Sequence, residues 1–474
     1  MINTGVSIVH EVAYRSVARL VIIAPMPLSV SFHVGHIVLL LTLALTSFRA
    51  MAAEPDYLSS EGPVEKSVLE EQGSFGEMAA KDAEVPEAFR PIRLLRDIFW
   101  QDASLTLKPR TYYFDRNRDG APDSQAWAAG GAIEYGTGWY RNRLQFGATL
   151  HTSQKLYGPD DKDGTLLLKS GQDSFTVLGE SYITARLGEQ AMLRLYRQDI
   201  NLPYINRQDN RMVPKAFEAY LLFDMDDPRF NYVGGHVRQL KRRNETGFIS
   251  MSEAAGATDA DHGVSMLGAL YRFSDAIDLG AVNYHGWDTM NIFYTEANSA
   301  WPLTEELALR LSAQYTDQRS VGDERIGDFE TGVIGGKAAL SYKNAILSLA
   351  FTSVDNESGI RSPWGGYPGY LSLIHKDFDR AGEDAWLIGL SYDFSRLGLP
   401  GLSAFTNYAS GNTPDNGNRA SPDQTEFDMT LDYHFSNVLD GLWIRARTAH
   451  VDQDGDGEDS QDYRLIVNYS LPLK

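Results

Sequence analysis

In the run Leu442-Trp443-Ile444-Arg445-Ala446-Arg447, Leu442, Ile444 and Ala446 fall on one side of an extended chain and Arg445 and Arg447 on the other. Successive side chains of a strand face opposite ways, so the alternation marks a two-faced strand. The end of the chain repeats it. Tyr463, Leu465, Val467, Tyr469, Leu471 and Leu473 alternate with Arg464, Asn468 and Ser470, and only Ile466 interrupts the polar set. A soluble sandwich strand would bury its apolar side. A membrane-barrel strand would turn that side to lipid and its polar side to a wet lumen. One strand cannot separate the two, so the rest of the chain must.

From residue 101 onward the same period-two texture recurs, broken by clusters of Gly, Asp, Asn and Pro. It predicts strands near 103–114, 125–137, 142–152, 174–187, 190–198, 216–223, 230–240, 263–273 and 276–285. Further strands follow near 289–299, 305–317, 328–342, 345–354, 384–394, 402–410, 425–435, 441–451 and 461–473. These make about eighteen, an even number, as bacterial outer-membrane barrels have. The connections alternate in length. Those at 138–141, 188–189, 224–229, 274–275, 343–344, 395–401 and 436–440 are short. Most of those between, such as 153–173, 199–215, 241–262 and 355–383, are longer. Short periplasmic turns alternating with long outer loops define an all-β, transmembrane, antiparallel up-and-down barrel. The connection after Gly286 is an exception, being outer but short. Pro109 within the first strand and the glycines of 328–342 also sit poorly in a ladder. Closure is obligatory, because an unpaired backbone group inside a bilayer costs several kcal/mol. The last strand must therefore pair with the first.

Composition agrees. Mean hydropathy is -0.30, with 42 glycines, 11% aromatic residues and no cysteine. Disulfide frameworks and thiolate metal sites are thereby excluded. A net charge of -20 argues against a nucleic-acid partner. Residues 37–46 form an apolar core of signal-peptide length, and Ala50-Met51-Ala52 supplies a cleavage pattern before Ala53. Residues 1–52 therefore read as a signal peptide with an upstream lead, and translation is expected to start near Met26. Residues 53–100 form an acidic extension, periplasmic or lumenal, and residues 101–474 form the barrel.

If the barrel closes, Lys108 and Arg110, Arg445 and Arg447, and Arg464 converge on one inner wall. Guanidinium groups stay charged and grip carboxylates with two parallel bonds. Such a wall would guide anionic groups; alternatively each arginine pairs with a lumenal acid such as Asp428 or Asp432 and braces the barrel. Clustering on adjacent strands favours guiding. Arg194, Arg238 and Arg310 lie on distant strands, where bracing is expected. Two loops, 199–215 and 355–383, are rich in Pro, Gly and aromatics and are candidates for a constriction. Arg211 and Tyr367 within them are candidate solute contacts.

The sequence also resembles a known family, the OprD-type substrate-specific porins of Gram-negative outer membranes. Arg110-Thr111-Tyr112-Tyr113-Phe114-Asp115-Arg116 resembles its first strand, and Asp209-Asn210-Arg211-Met212-Val213-Pro214 its third outer loop. The segment Trp386-Leu387-Ile388-Gly389-Leu390-Ser391-Tyr392-Asp393-Phe394, followed by Leu397-Gly398-Leu399-Pro400-Gly401-Leu402, is the most specific match. The resemblance implies an eighteen-stranded barrel, inward-folded third and seventh loops, and a lumenal arginine ladder passing small carboxylate-bearing solutes. Arg110, Arg445 and Arg447 would carry that ladder, with Arg464 beside them. Where the family often places an arginine, this chain has Asn407, and its terminus is Leu473-Lys474 rather than an aromatic.

Together these readings predict an outer-membrane porin, not an enzyme, without cofactor or metal. Its partners are small anionic or zwitterionic solutes and the surrounding lipid and lipopolysaccharide; a monomer or a homotrimer is expected. The competing classes are a barrel with a blocked lumen, structural or adhesive, and a barrel enzyme. For the enzyme, His434 near Asp432 is the one hint, and no Gly-x-Ser-x-Gly occurs. Two Asp-rich segments, 115–123 and 452–459, resemble calcium loops but are read as Asp/Gly turns.

Overall fold

The protein is described from a computed structural model that covers residues 96–417, 419–436, 439–455 and 457–474. The expected signal peptide and almost all of the acidic extension lie outside the described residues. The strands are β1 (Ser104–Arg118), β2 (Ser124–Gly136), β3 (Leu144–Tyr157), β4 (Phe175–Leu187), β5 (Ala191–Gln198) and β6 (Ala216–Asp224). They continue with β7 (Phe230–Lys241), β8 (Val264–Ser274), β9 (Ile277–Gly286), β10 (Met290–Pro302), β11 (Leu307–Ser320) and β12 (Glu330–Tyr342). The set ends with β13 (Ala345–Val354), β14 (Asp384–Asp393), β15 (Leu402–Asn412), β16 (Gln424–His434), β17 (Leu442–Gln453) and β18 (Ser460–Tyr469).

Each strand pairs antiparallel with the next, and β1 pairs with β18 from Arg110↔Asn468 to Arg118↔Ser460. The barrel of 18 strands is therefore closed. The seam continues past Tyr469. Leu471–Pro472 pairs with β1, and the Leu473 N–H donates to the Leu105 carbonyl at 2.8 Å. Among the described strands no open edge remains for a lipid chain to face.

Burial is inverted relative to a soluble protein. On β16, Phe427, Met429, Leu431 and Tyr433 are 37–44% exposed, while Glu426, Asp428, Thr430 and Asp432 are at most 7% exposed. The outward face can be solvated only by hydrocarbon. Tyr271, Phe273, Trp301 and Tyr342 stand near the periplasmic rim, and Trp287, Trp386 and Tyr463 toward the outer one. Such aromatic belts suit the two membrane interfaces. No described helix is long and apolar enough to cross a membrane; the strands do so.

The lumen departs from the uniformly wet interior that alternation alone suggests. Inward residues of β6 to β12, among them Phe217, Tyr284, Ile292 and Val333, are buried against Tyr204, Trp364 and Tyr367 of the outer loops. Near the seam a second cluster joins Tyr112, Phe114 and Ile466 to Leu167, Leu168 and Met212. Ile466, the exception in the terminal strand's polar set, is thus capped by loop residues. Outer loop L4 (residues 242–263) carries a helical turn, Met251–Ala255, capped by the Ser250 hydroxyl, which accepts from the Glu253 N–H.

Pro109 finds its accommodation across the ladder. It stands opposite Gly131, whose φ is +123°, and a Cβ there would lie 2.0 Å from the Lys108 carbonyl oxygen. Only glycine permits this approach. Gly131→Ala is expected to destabilise the barrel by about 1–3 kcal/mol, read as a lower denaturant midpoint of the heat-modifiable folded band. Gly336→Ala, where a methyl meets nothing within 4 Å, serves as control. Equal midpoints for the two variants would remove this account.

Candidate functional site

The inward faces of β1, β18, β17 and β16 form one wall. Cross-strand register sets its rows: Phe114, Arg464, Arg447 and Thr430 in one, and Tyr112, Ile466, Arg445 and Asp432 in the next toward the periplasm. Arg110 stands one row further, opposite Asn468. The expected convergence of Arg110, Arg445, Arg447 and Arg464 is therefore realised by the seam.

Each cation also has a bonded neighbour. Arg445 grips Asp432 with Nε at 2.7 Å and Nη2 at 2.9 Å. Arg464 donates to Asp462 at 2.5 Å, and Arg116 grips the same carboxylate at 2.5 and 2.8 Å. Arg447 Nε donates to the Thr430 hydroxyl at 3.0 Å. Arg110 Nε donates to Asn468 Oδ1, and its Nη1 donates to Asp209 Oδ1 and to the Arg211 carbonyl, all at 2.6 Å. Lys108, nearer the periplasm, pairs with Glu134 at 2.8 Å. Asn407 donates to Asp428 at 3.0 Å. Away from this wall, Arg238 pairs with Glu218 and Arg194 donates to Thr184, as bracing requires.

Both candidate loops enter the barrel. L3 (residues 199–215) crosses to the arginine wall through Asp209. Burial alone would raise that carboxyl, but the guanidiniums of Arg110 and Arg207 outweigh it and hold it below the usual carboxylate range. L7 (residues 355–383) reaches the same wall from the far side. The backbone N–H groups of His375 and Lys376 donate to the two oxygens of Glu426 at 2.9 and 2.7 Å, and Arg464 donates to the Ile374 carbonyl at 3.0 Å. The loops also join each other. Asn206 exchanges bonds with the Gly366 backbone at 3.2 and 2.9 Å, and Tyr204 lies 6.3 Å from Tyr367. Trp364, fully buried, donates its ring N–H to the Met251 carbonyl of L4.

Arg211 and Tyr367, expected to meet solute, are both buried. Arg211 donates to the Thr165 and Asn210 carbonyls, and Tyr367 packs in the apolar cluster that seats L7. Sequence reading missed Arg116, Asp462 and Glu426. Each is in phase with a residue already placed inward, Asp462 one step from Arg464, Glu426 one step from Asp428 and Arg116 three steps from Arg110, so carrying the alternation further would have found them. His434 stacks 5.6 Å from Trp443, and the nearby Asp432 is engaged by Arg445. In the Asp-rich segments, Asp115 belongs to β1 and accepts from Tyr113 and Gln125, while Asp123 accepts from Lys162. Among the described residues no group of three or more acids or histidines is arranged to hold a metal.

A closed β-cylinder with an apolar exterior, a polar wall inside and loops drawn into its lumen is a porin of the bacterial outer membrane. The chain belongs to the OprD family of outer membrane porins, whose family model matches residues 97–473. Porin D of Pseudomonas aeruginosa is 23% identical over 412 residues, covering 79% of this chain and 92% of that protein. The porin-like protein GalP of Pseudomonas putida is 23% identical, covering 81% and 95%. Among solved structures, OccK9 (OpdG) of P. aeruginosa is 26% identical with a TM-score of 0.72, covering 79% of this chain and 100% of that one. OpdK of the same organism, solved with vanillate, is 23% identical at the same TM-score and coverage. These relatives are porins, which move solutes rather than transform them.

Two tests follow from the loops. Deleting residues 364–370 should widen the channel and raise single-channel conductance; unchanged conductance would take L7 out of the constriction. The second concerns Asp379, whose carboxyl is pushed up to about 7 by burial and then by Asp377 and Glu383. Below that value the seated loop holds a proton that a released loop would lose, so the seat weakens as pH rises from about 5 to about 8. Open-channel current noise should grow over this range and become independent of pH in Asp379→Asn. Noise that is flat with pH in the parent protein would refute it.

Proposed function

We propose that this porin admits small solutes bearing a carboxylate, amino acids or aromatic and other organic acids, along the wall of Arg110, Arg445, Arg447 and Arg464. The observation that carries this reading is the pairing of Arg447 with Arg464. They are directly opposite on adjacent strands and share the inward face. Like charges so placed destabilise a sheet. A wall built only for bracing would put an acid at one of these positions, as it does with Arg445 and Asp432. Facing arginines on a wall where Arg110, Arg116, Arg445, Arg447 and Arg464 stand among Glu426, Asp428, Asp432 and Asp462 suit a path for anions.

The paired acids do not cancel the role. A solute carboxylate offers the same two oxygens as Asp432, so it can be passed from one guanidinium to the next by exchange of equivalent bonds. Each exchange keeps a partner on every cation and avoids a bare charge. Asp209 on L3, held by Arg110, narrows the path at its periplasmic side and favours compact solutes.

Replacing Arg445 and Arg447 by Ala should cut liposome uptake of a carboxylate solute about tenfold, corresponding to one lost charge-assisted interaction of about 1.5 kcal/mol. Uptake of a neutral sugar of similar size should change little. Equal loss for both solutes would sink the reading. Liposome swelling with a panel of amino and aromatic acids then ranks the solutes.

A further inference from the structure

The Phe114 ring is 1% exposed, yet it faces the lumen side of β1 amid charge. Three guanidinium carbons gather over it: Arg464 at 4.4 Å from the ring centre, Arg211 at 5.0 Å and Arg116 at 5.3 Å. The three come from different parts of the chain: Arg116 from β1, Arg464 from β18 and Arg211 from L3. Arg116 and Arg464 share one carboxylate, that of Asp462. Arg211 donates to the neutral carbonyls of Thr165 and Asn210. The cluster thus holds more positive charge than Asp462 offsets. Arg464 Nε has no hydrogen-bond partner among the described residues. What lies under that guanidinium is the ring.

An aromatic face carries negative potential and attracts a cation, most strongly where water is excluded. We propose that Phe114 is the positioning residue of the cationic wall: its ring face seats Arg116 and Arg464 and, through Arg211, ties L3 to that wall. Arg464 in turn holds the Ile374 carbonyl of L7. One ring therefore fixes the charge density of the wall and anchors both loops that narrow the pore. A leucine could fill the apolar volume left between Tyr112 and Met212, but it has no face to offer a guanidinium. Released from the ring, Arg211 would keep only its bonds to the Thr165 and Asn210 carbonyls, and L3 would lose one of its holds on the wall beside those Arg110 makes to Asp209 and the Arg211 carbonyl. The claim about selectivity rests on the anion-guiding role of the wall; the claim about loop anchoring does not.

The test is planar-bilayer recording of the purified full-length porin under a KCl gradient. Phe114→Leu should lower the chloride-to-potassium permeability ratio about threefold and increase open-channel noise. Phe114→Tyr, which keeps the face, should restore the parent ratio. A polyfluorinated phenylalanine at position 114, introduced by nonsense suppression, keeps the shape but reverses the potential of the face. It should behave as Phe114→Leu does, and it supplies the test if the leucine variant does not assemble. A fluorinated ring with the parent ratio and noise would overturn the proposal, as would Leu and Tyr variants with equal losses, since packing volume would then be the cause. Failure of the Arg445/Arg447 uptake test would sink the solute assignment while leaving the noise comparison intact.

Discussion

Closure governs everything else in this molecule. Hydrocarbon offers no hydrogen bonds, so every backbone group within the bilayer must find a partner in the next strand. The ladder from Arg110↔Asn468 to Arg118↔Ser460 completes that circuit by joining segments more than 300 residues apart. The seam also sets the chemistry. It brings Arg110 and Arg116 from one end of the chain beside Arg445, Arg447 and Arg464 from the other, and no local stretch contains that grouping. The arginine wall is a product of topology.

Loops that reach its wall narrow the lumen of the barrel. The chain does so by splitting the lumen into two environments. On β6 to β10 and β12 apolar inward residues such as Phe217, Tyr284, Ile292 and Val333 serve as a floor on which Tyr204, Trp364 and Tyr367 pack. Between them β11 turns Gln314, Thr316 and Gln318 inward, and Thr316 accepts from the Tyr204 hydroxyl. That floor supplies hydrophobic burial that a barrel otherwise lacks, because its outer face is already matched to lipid. Against the opposite wall the same loops end in polar contacts: Asp209 at Arg110, and the L7 backbone at Glu426 and Arg464. Apolar packing holds the loops in place and charge pairing aims their tips.

Much of this was legible in the sequence. Period-two alternation located the eighteen strands because each has one lipid face and one lumenal face, and the alternation of loop length told membrane barrel from soluble sandwich. Strand ends were harder. Asp115 to Arg118 look like a turn, yet β1 runs through them because β2 and β18 still flank it there. The capped helix in L4 was readable from Ser250 and Glu253 and was overlooked among the polar residues of a long loop. The partners of the arginines, and the burial of Arg211 and Tyr367, depend on which loop meets which wall. Those contacts span a hundred residues or more in places, and no periodicity encodes them. Ile466 shows the limit clearly. Its strand phase placed it inward, but an apolar residue belongs there because it joins a buried cluster with Leu167, Leu168 and Met212 of distant loops.

On the proposed anion path, the wall's construction also reconciles stability with transport. A bare row of guanidiniums would repel itself and, partly buried, would incur a heavy desolvation cost. Giving each one bonded partners, as Asp209, Asp432, Asp462 and Thr430 do, removes most of that cost. Leaving Arg447 and Arg464 side by side keeps some of the repulsion in place. On the proposed anion path, an entering carboxylate would relieve that residual repulsion, so the interaction that weakens the empty wall would also draw solute in. A wall with an acid for every arginine would be more stable and would have nothing to offer an anion. A wall with none would hold the anion too tightly to release it. On the proposed path, Asp432, Asp462 and the neutral Asn407 at a position where a further charge could stand would keep the wall between those extremes.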